Sequence, residues 1–378
     1  MSERLYYENV YLREFTARVV SCREVGGKYE IVLDRTAFFP EGGGQPADIG
    51  FIENSRVLDT KERDGEVIHL CSDAVEENTC VSCRIDYERR FDHMQQHTGE
   101  HIFSGFVHSL CGFDNVGFHM GEDSVTVDFN GTVTPEKLSE IERLSNDAIY
   151  KNIPVETLLP SAEELDSFSY RSKKELSGQV RLVRIDGVDL CACCGTHVSL
   201  TGEVGMIKAV GCVHYKSGVR ITLLIGARAL ADYGRKNSSV LAISNLLCAK
   251  ADEVAEAVER LKEQLRTERY QYSELKKRLF ALECESVSGT LALRFDPSGS
   301  VDDARIFADM LADKAETAAV FSGNDDTGYK YAVVSRSADV RPLGKELNAA
   351  LQGRGGGKPD MIQGSVAASK TEIEKFFA

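Results

Sequence analysis

Four residues in two short stretches could hold a metal ion. In MQQHTGEHIFSG, Met94 to Gly105, His97 and His101 are four apart. On a helix that spacing puts both imidazoles on one face, one turn apart. DLCACCGTHVSL supplies Cys193 and His197, again four apart. Three imidazoles and one thiolate make a borderline-soft, four-coordinate set that suits one Zn2+. Cys191 and Cys194 are close neighbours, and Cys194 could also reach a metal held by His197. Cys80-x-x-Cys83 lacks a second pair, and on a strand its side chains face opposite ways, so it reads as structural.

A second stretch, DRTAFFPEGGGQPADIG, runs from Asp34 to Gly50. Gly42, Gly43 and Gly44 cannot form a strand interior. They either let backbone N–H groups approach a ligand or make a tight surface turn. The spacing fits neither a P-loop nor a dinucleotide fingerprint. Gln45 adds an amide, and Thr36 a hydroxyl.

The elements that must position these groups change along the chain. Residues 1–90 hold short β-branched and aromatic runs (YYENVYL, TARVVSC, KYEIVLD, EVIHLCS) separated by turn residues, which predicts a small β-barrel or curled sheet. From about Asp92 the period becomes helical, with His97, His101, Ser104 and His108 on one stripe. Strand-like segments follow, then a helix opened by Pro135. Ser239 to about Val287 reads as one long helix with an apolar seam at alternating spacings of three and four, interrupted at Glu268. Residues 289–378 form a last α/β unit. The expected class is α+β in four parts: a β-rich domain over 1–90, a zinc-binding domain over 91–237, a helical arm over 238–288 and a C-terminal domain over 289–378.

The 378 residues are 42% hydrophobic and 28% charged, enough apolar material for several cores. No apolar run is long enough to span a membrane, and the charged, aromatic start is unlike a signal peptide, so a cytoplasmic location is expected. The 11 cysteines then read as buried residues or metal ligands. A net charge of −14 argues against non-specific adhesion to nucleic acid, but not against local basic contacts to a specific RNA.

Taken together, AFFPEGGGQPADIG, HTGEH and CCGTHV resemble the editing domain of alanyl-tRNA synthetases and its free-standing AlaX relatives. VGFHMGEDSVTVDF and SGVRITLLIGARAL look similar as well. The resemblance makes Cys193 the ligand and puts Cys194 where the family usually has Gly. GRGGGKPDMIQGS resembles the terminal domain that follows editing in those synthetases. DHH phosphoesterases share a related domain, but this chain has no Asp-His-His triplet.

The resemblance implies a zinc-dependent deacylase of long AlaX form. It would hydrolyse Ser-tRNA(Ala), with Gly-tRNA(Ala) as a second candidate, in trans. No aminoacylation domain precedes the β-rich segment, so no tRNA charging is expected. Gln45 and Thr36 match family residues at the catalytic site, Thr36 as the contact to the seryl hydroxyl. Such a contact would reject alanine far better than a pocket judging one methylene. Four protein ligands would close a zinc site, so one ligand is expected to be labile or the coordination to expand. Gly42, Gly43 and Gly44 would approach the substrate. Arg354 and Lys358, flanking the turn Gly355-Gly356-Gly357, would contact tRNA. A homodimer through the long helix and C-terminal domain is a further expectation.

Two rival readings remain. His97-x-x-Glu100-His101 is the H-x-x-E-H pattern of a zinc metallopeptidase with Glu100 as catalyst, although C-x3-H is the wrong downstream partner. A non-catalytic RNA-binding protein with structural zinc would also fill four ligands. HTGE looks like a zinc-finger linker too, but no C2H2 pattern flanks it.

Overall fold

The computed structural model describes residues 2–172 and 179–378. The chain is mixed α and β and divides into two compact units, Met1–Val240 and Leu241–Ala378. Among the described residues no helix is long and apolar enough to cross a membrane.

The first unit begins with six strands: β1 (Glu14–Val25), β2 (Lys28–Leu33), β3 (Gly50–Ile52), β4 (Ser55–Arg63), β5 (Glu66–Cys71) and β6 (Cys80–Ile85). They close in the order β1-β2-β5-β4-β3-β6. Alternation along the strands turns Val19, Ile31, Leu33, Ile52, Val57 and Val81 inward around Phe38. Cys83 is buried and Cys80 exposed, as opposite faces of β6 require. YYENVYL, expected as a strand, is instead a single helical turn, Leu5–Glu8. Tyr6 is buried edge-on to Phe39. The Asn9 side chain then accepts from Tyr11 N at 3.0 Å, which ends the turn.

Helix α1 (Tyr87–Cys111) follows the barrel. The Asp86 side chain caps its start, and Gly112 in the left-handed region closes its end. From His93 to Gly105 every residue is buried, so the helix runs through a core and is not a surface amphipath. Met94, Ile102, Phe103 and Val107 pack with Val125, Val127, Ile221 and Leu223. Those partners lie on β8 (Val125–Phe129) and, later in the chain, β13 (Gly218–Ile225). With β7 (Asn115–Met120) and β12 (Ile207–Tyr215) these strands form a sheet in the order β12-β13-β8-β7. Between β8 and β12 come α2 (Pro135–Tyr150) and a sheet of β9 (Val155–Leu158), β10 (Leu182–Ile185) and β11 (Asp189–Ala192). Helix α2 starts as its sequence dictates, with Pro135 in the first turn and the Thr134 hydroxyl accepting from Lys137 N.

The expectation of one helix over 239–287 is corrected. Helix α3 (Ala227–Leu247) ends, and α4 (Val254–Glu285) begins after a short 3-10 turn. Cys248 has φ +49°. Ala249 N bonds Ser244 O and Cys248 N bonds Asn245 O, which is the Schellman closure with a cysteine where glycine is usual.

In the second unit five strands form one sheet: β14 (Gly289–Asp296), β15 (Ala315–Asn324), β16 (Gly328–Ser335), β17 (Arg354–Gly357) and β18 (Met361–Val366), in the order β14-β15-β16-β18-β17. Both faces are covered. Ala318, Val320, Ala332 and Val334 meet Phe307 and Leu311, while the alternate residues Ala319, Phe321, Tyr331 and Val333 meet Leu347 and Ile373. Lys276 of α4 pairs with Asp296 and Asp303 at 3.2 and 3.0 Å.

One contact ties the barrel to α1. Arg90 and Asp48 have no exposed side-chain surface, and the guanidinium grips the carboxylate through Nε and Nη2. Its remaining donors reach Val10 O and Ala37 O, and Asp48 also accepts from Phe39 N. Removing one partner of such a pair strands the other charge. Asp48→Ala is therefore expected to cost about 3–5 kcal/mol in chemical denaturation; an unshifted midpoint would remove the pair from the stability account.

Candidate metal centre

The two halves of the H-x3-H and C-x3-H pattern converge. His97 and His101 sit one turn apart on the buried length of α1, and Cys193 and His197 on the loop leaving β11. One ligand atom from each of the four lies within 4.8 Å of all the others. Cys193 Sγ is 3.3 Å from His97 Nε2 and 3.4 Å from His197 Nε2. Cys194 is exposed and outside this group, so Cys193 is the cysteine that faces the histidines.

Each imidazole is held from behind. His97 Nδ1 donates to Gln45 Oε1 at 2.9 Å and His101 Nδ1 to Asp189 Oδ2 at 3.0 Å, and His197 Nδ1 shares a hydrogen bond of 3.2 Å with Thr98 Oγ1. With Nδ1 of His97 and of His101 committed as donors, Nε2 is the ring atom of each that can face an ion. The outer partners are themselves fixed. Gln45 donates to Thr196 Oγ1 and accepts from Thr196 N. Asp189 takes two bonds from Arg171, at 2.7 and 2.9 Å. Arg181 holds the loop by donating to Cys193 O and Gly195 O. A Cβ at Gly195 would fall 2.1 Å from the His97 ring, so the loop passes that ring only as bare backbone.

The protonation states suit metal binding. Burial alone would push the Cys193 thiol up, but the neighbouring His97, with the hydrogen bond from His101, holds it well below the ordinary thiol range. Burial pushes His197 down to about 3, leaving it neutral. For His101 burial also disfavours the cation, yet the bond to Asp189 holds it well above the usual imidazole range. A metal at Nε2 would replace that proton and leave Nδ1–H on Asp189. Three nitrogen donors and one thiolate fit Zn2+. His101, Asp189 and Cys191 form a second close group, but Asp189 is committed to Arg171 and acts as a support.

A cavity of about 550 Å3 opens on this centre. Gly43 and Gly44 line it, whereas Gly42 pairs with Gln45 in the turn itself. Two candidate catalytic residues do not line it. Gln45 is fully buried and acts through His97. Thr36 is fully buried on the barrel side. His69 Nδ1 must donate to Ile31 O, so its Nε2 accepts the Thr36 hydroxyl proton at 2.8 Å. Thr36 also accepts from Phe38 N. Glu100 is buried, accepts from Ser104 and Asn115, and is outside both the donor group and the cavity lining.

Arg354, Gly355, Gly356 and Gly357 are corrected from a turn to the exposed edge strand β17, with Lys358 just beyond it in the second unit. A Cβ on Gly355 or Gly357 would strike the backbone of β18, which is why this strand is nearly all glycine. Asp189, Arg171, Thr98 and Arg181 were not singled out by the sequence. Asp189 lies four residues before Cys193, but no spacing rule marks a hydrogen-bond partner.

Comparison with known proteins gives three family matches. Residues 3–89 match the family "tRNA synthetases class II (A)", 180–222 the "Threonyl and Alanyl tRNA synthetase second additional domain" and 288–378 the "DHHA1 domain". The chain is 31% identical to the alanyl-tRNA editing protein AlaX-L of Pyrococcus horikoshii, across 99% of this chain and 96% of that one. It is 29% identical to the alanyl-tRNA editing protein Aarsd1-A of Xenopus laevis, across 96% and 94%. It is 33% identical to the alanine–tRNA ligase of Halobacterium salinarum, across 86% of this chain but 38% of the ligase.

Removing a ligand or its support should have graded effects. His97→Ala is expected to abolish stoichiometric zinc, read by metal analysis. Asp189→Asn should keep zinc but weaken it about 10–100-fold in chelator competition. Full occupancy in His97→Ala would overturn the ligand assignment.

Proposed function

The chain belongs to the alanyl-tRNA editing proteins, and we propose that it is a zinc-dependent deacylase that hydrolyses Ser-tRNA(Ala) in trans, with Gly-tRNA(Ala) as the second candidate substrate. The observation that carries this reading is the convergence of His97, His101, Cys193 and His197, the first three of which line a cavity. A zinc ion there would polarise the ester carbonyl or acidify water. The chain's own residues do the positioning. Gln45, Asp189 and Thr98 orient the three imidazoles, and Arg181 fixes the loop that carries Cys193. Gly43 and Gly44 bring bare backbone to the cavity, so the aminoacyl ester can approach closely.

The peptidase alternative asks Glu100 to face the metal-side water. Its carboxylate is instead bonded to Ser104 and Asn115 within the core.

We assign residues 1–90 and 91–237 to editing and 289–378 to tRNA binding. Arg354 and Lys358 flank an exposed glycine strand whose backbone an RNA can approach. We further propose that α4 pairs with a second copy of the chain. Val258, Leu261, Leu265, Tyr272, Leu275, Leu279 and Leu282 are all exposed, at alternating spacings of three and four apart from the gap at Glu268. That is the seam of a coiled coil, and the alternation itself selects another helix as the partner.

Purified protein should release serine from Ser-tRNA(Ala), spare Ala-tRNA(Ala) and stop when a chelator removes zinc. In the same assay, Arg354→Ala with Lys358→Ala should raise KM and lower the salt slope by about 1–2 while kcat holds. A protein that binds tRNA without ester loss would be the non-catalytic RNA binder.

Sedimentation should show a dimer that Leu275→Glu converts to monomer; a monomeric wild type would sink the pairing.

A further inference from the structure

The outer face of the barrel carries arginines that the chain's own acids leave unpaired. On β3, Phe51 pairs with Arg56 of β4 on one side and with Arg84 of β6 on the other. Directly paired residues point to the same face, so the three side chains stand in one row. Their chain neighbours Ile52, Val57 and Ile85 point inward and are buried. All three members of the row are exposed, the phenylalanine included. A hollow of about 240 Å3 lies between Arg56, Arg84 and Asp86. Arg13 is close by, since its carbonyl accepts from Ile85 N, next to Arg84.

Rings, not carboxylates, hold two of these arginines. The Arg84 guanidinium lies 5.3 Å from the centre of the Phe51 ring, and that of Arg13 lies 3.8 Å from the centre of the Tyr87 ring. Elsewhere in this unit exposed arginines such as Arg63, Arg143 and Arg184 pair with an acid. Among the described residues Arg13, Arg56 and Arg84 pair with none. Two acids are at hand. Glu14 stands opposite Arg84 in the register of β1 and β6, without an ion pair, and Asp86 accepts from Arg89 N as the cap of α1. A chain of net charge −14 has ample carboxylates to neutralise three arginines. Laying a guanidinium on a ring keeps its fork ordered but open. Such a fork matches the oxygens of a phosphate. Arg56 and Arg84 stand two strand spacings apart, about 9–10 Å, enough to meet more than one phosphate of a single strand. The face also has a definite place relative to the metal centre. Tyr87 opens α1 and His97 lies ten residues on, about 15 Å along the axis. A nucleic-acid strand covers that length in about four nucleotides at roughly 3.4 Å each.

We propose that Arg13, Arg56 and Arg84 form a docking face for the phosphate backbone of an RNA stem, from which a short single-stranded end runs on toward the metal centre. This rests on the reading of the substrate as an aminoacyl-tRNA. The face lies on the barrel surface, outside the cavity over the metal ligands, and touches no reacting atom. Contacts to phosphate carry no base information, so it adds binding strength and sets the direction of approach without choosing the sequence. The three arginines are positioning residues.

The test places Arg56→Glu with Arg84→Glu in the full chain. Zinc content is measured, and the binding of an acceptor-stem RNA hairpin is followed across salt concentrations. KM and kcat are compared on Ser-tRNA(Ala) and on 3′-seryl-adenosine, which is too short to reach the barrel face. The double variant should raise KM on Ser-tRNA(Ala) about ten-fold or more and lower the salt slope of hairpin binding by about 2. Zinc content and kcat should hold, and hydrolysis of seryl-adenosine should match the wild type. Unchanged hairpin binding would overturn the proposal and leave the face to an acidic protein surface. An equal loss on seryl-adenosine would overturn it too, because the damage would then lie at the metal centre. A wild type that hydrolyses neither ester yet loses hairpin binding in the variant would sink the deacylase reading and keep the face. Deacylation of Ser-tRNA(Ala) with one KM for wild type and variant would do the reverse.

Discussion

The Arg90–Asp48 pair sets the register between barrel and helix on which the metal centre depends. Gln45 lies three residues before Asp48, and His97 lies seven after Arg90. Seven residues are close to two helical turns, so Arg90 and His97 share a face of α1. Fixing Asp48 against Arg90 therefore brings Gln45 within 2.9 Å of His97. Burying two charges is costly, and a well-packed apolar pair could be as stable. What an apolar pair would not reproduce is direction. Arg90 reaches Val10 O and Ala37 O as well as the carboxylate, which fixes three barrel segments to one helix position.

The same logic extends to the other imidazoles. Three different pieces of chain supply their rear contacts: the glycine turn through Gln45, β11 through Asp189 and α1 itself through Thr98. The centre is thus a junction, and none of these pieces could preform it alone. Glycines mark where two of them pass without side chains. Gly195 clears His97, and Gly105 clears the backbone of Val188 just before Asp189. A methyl group at Gly195 would strike the His97 ring itself, and one at Gly105 would push on Val188 and Asp189, the support of His101.

The grouping of four residues that could hold a metal was legible because metal chemistry restricts residue type and spacing together. H-x3-H and C-x3-H each need one local conformation, and both are present. The barrel strands and the helix start at Pro135 were legible for similar local reasons. What escaped was decided by distant partners. Arg171 meets Asp189 eighteen residues on, and no pattern in either segment announces it. Thr36 carries the right hydroxyl in the right motif, but His69, thirty-three residues on, takes its proton. YYENVYL has strand composition, yet burial of Tyr6 against Phe39 favours a helical turn. Helix α3 stops at Leu247 because a cysteine adopts the left-handed cap, which no apolar seam can reveal. Arg354–Gly357 reads as a turn by composition, but β18 offers the backbone a pairing edge only glycine can approach.

The charges around the centre also reconcile an acidic chain with an anionic substrate. The net charge of −14 is a property of the whole surface. Near the ligands, Arg171 and Arg181 offset Asp189 and the Cys193 thiolate before any ion is bound. A bound divalent cation would then leave the cavity wall locally positive. Fields in a low-dielectric cleft are set by such near charges, because distant surface charges are screened within about 8–10 Å. An ester developing negative charge on its carbonyl oxygen would meet this local field and not the global one. Arg181 contributes twice, as the clamp on the Cys193 loop and as a nearby positive charge. Replacing it by lysine would keep the charge but lose the paired grip on Cys193 O and Gly195 O.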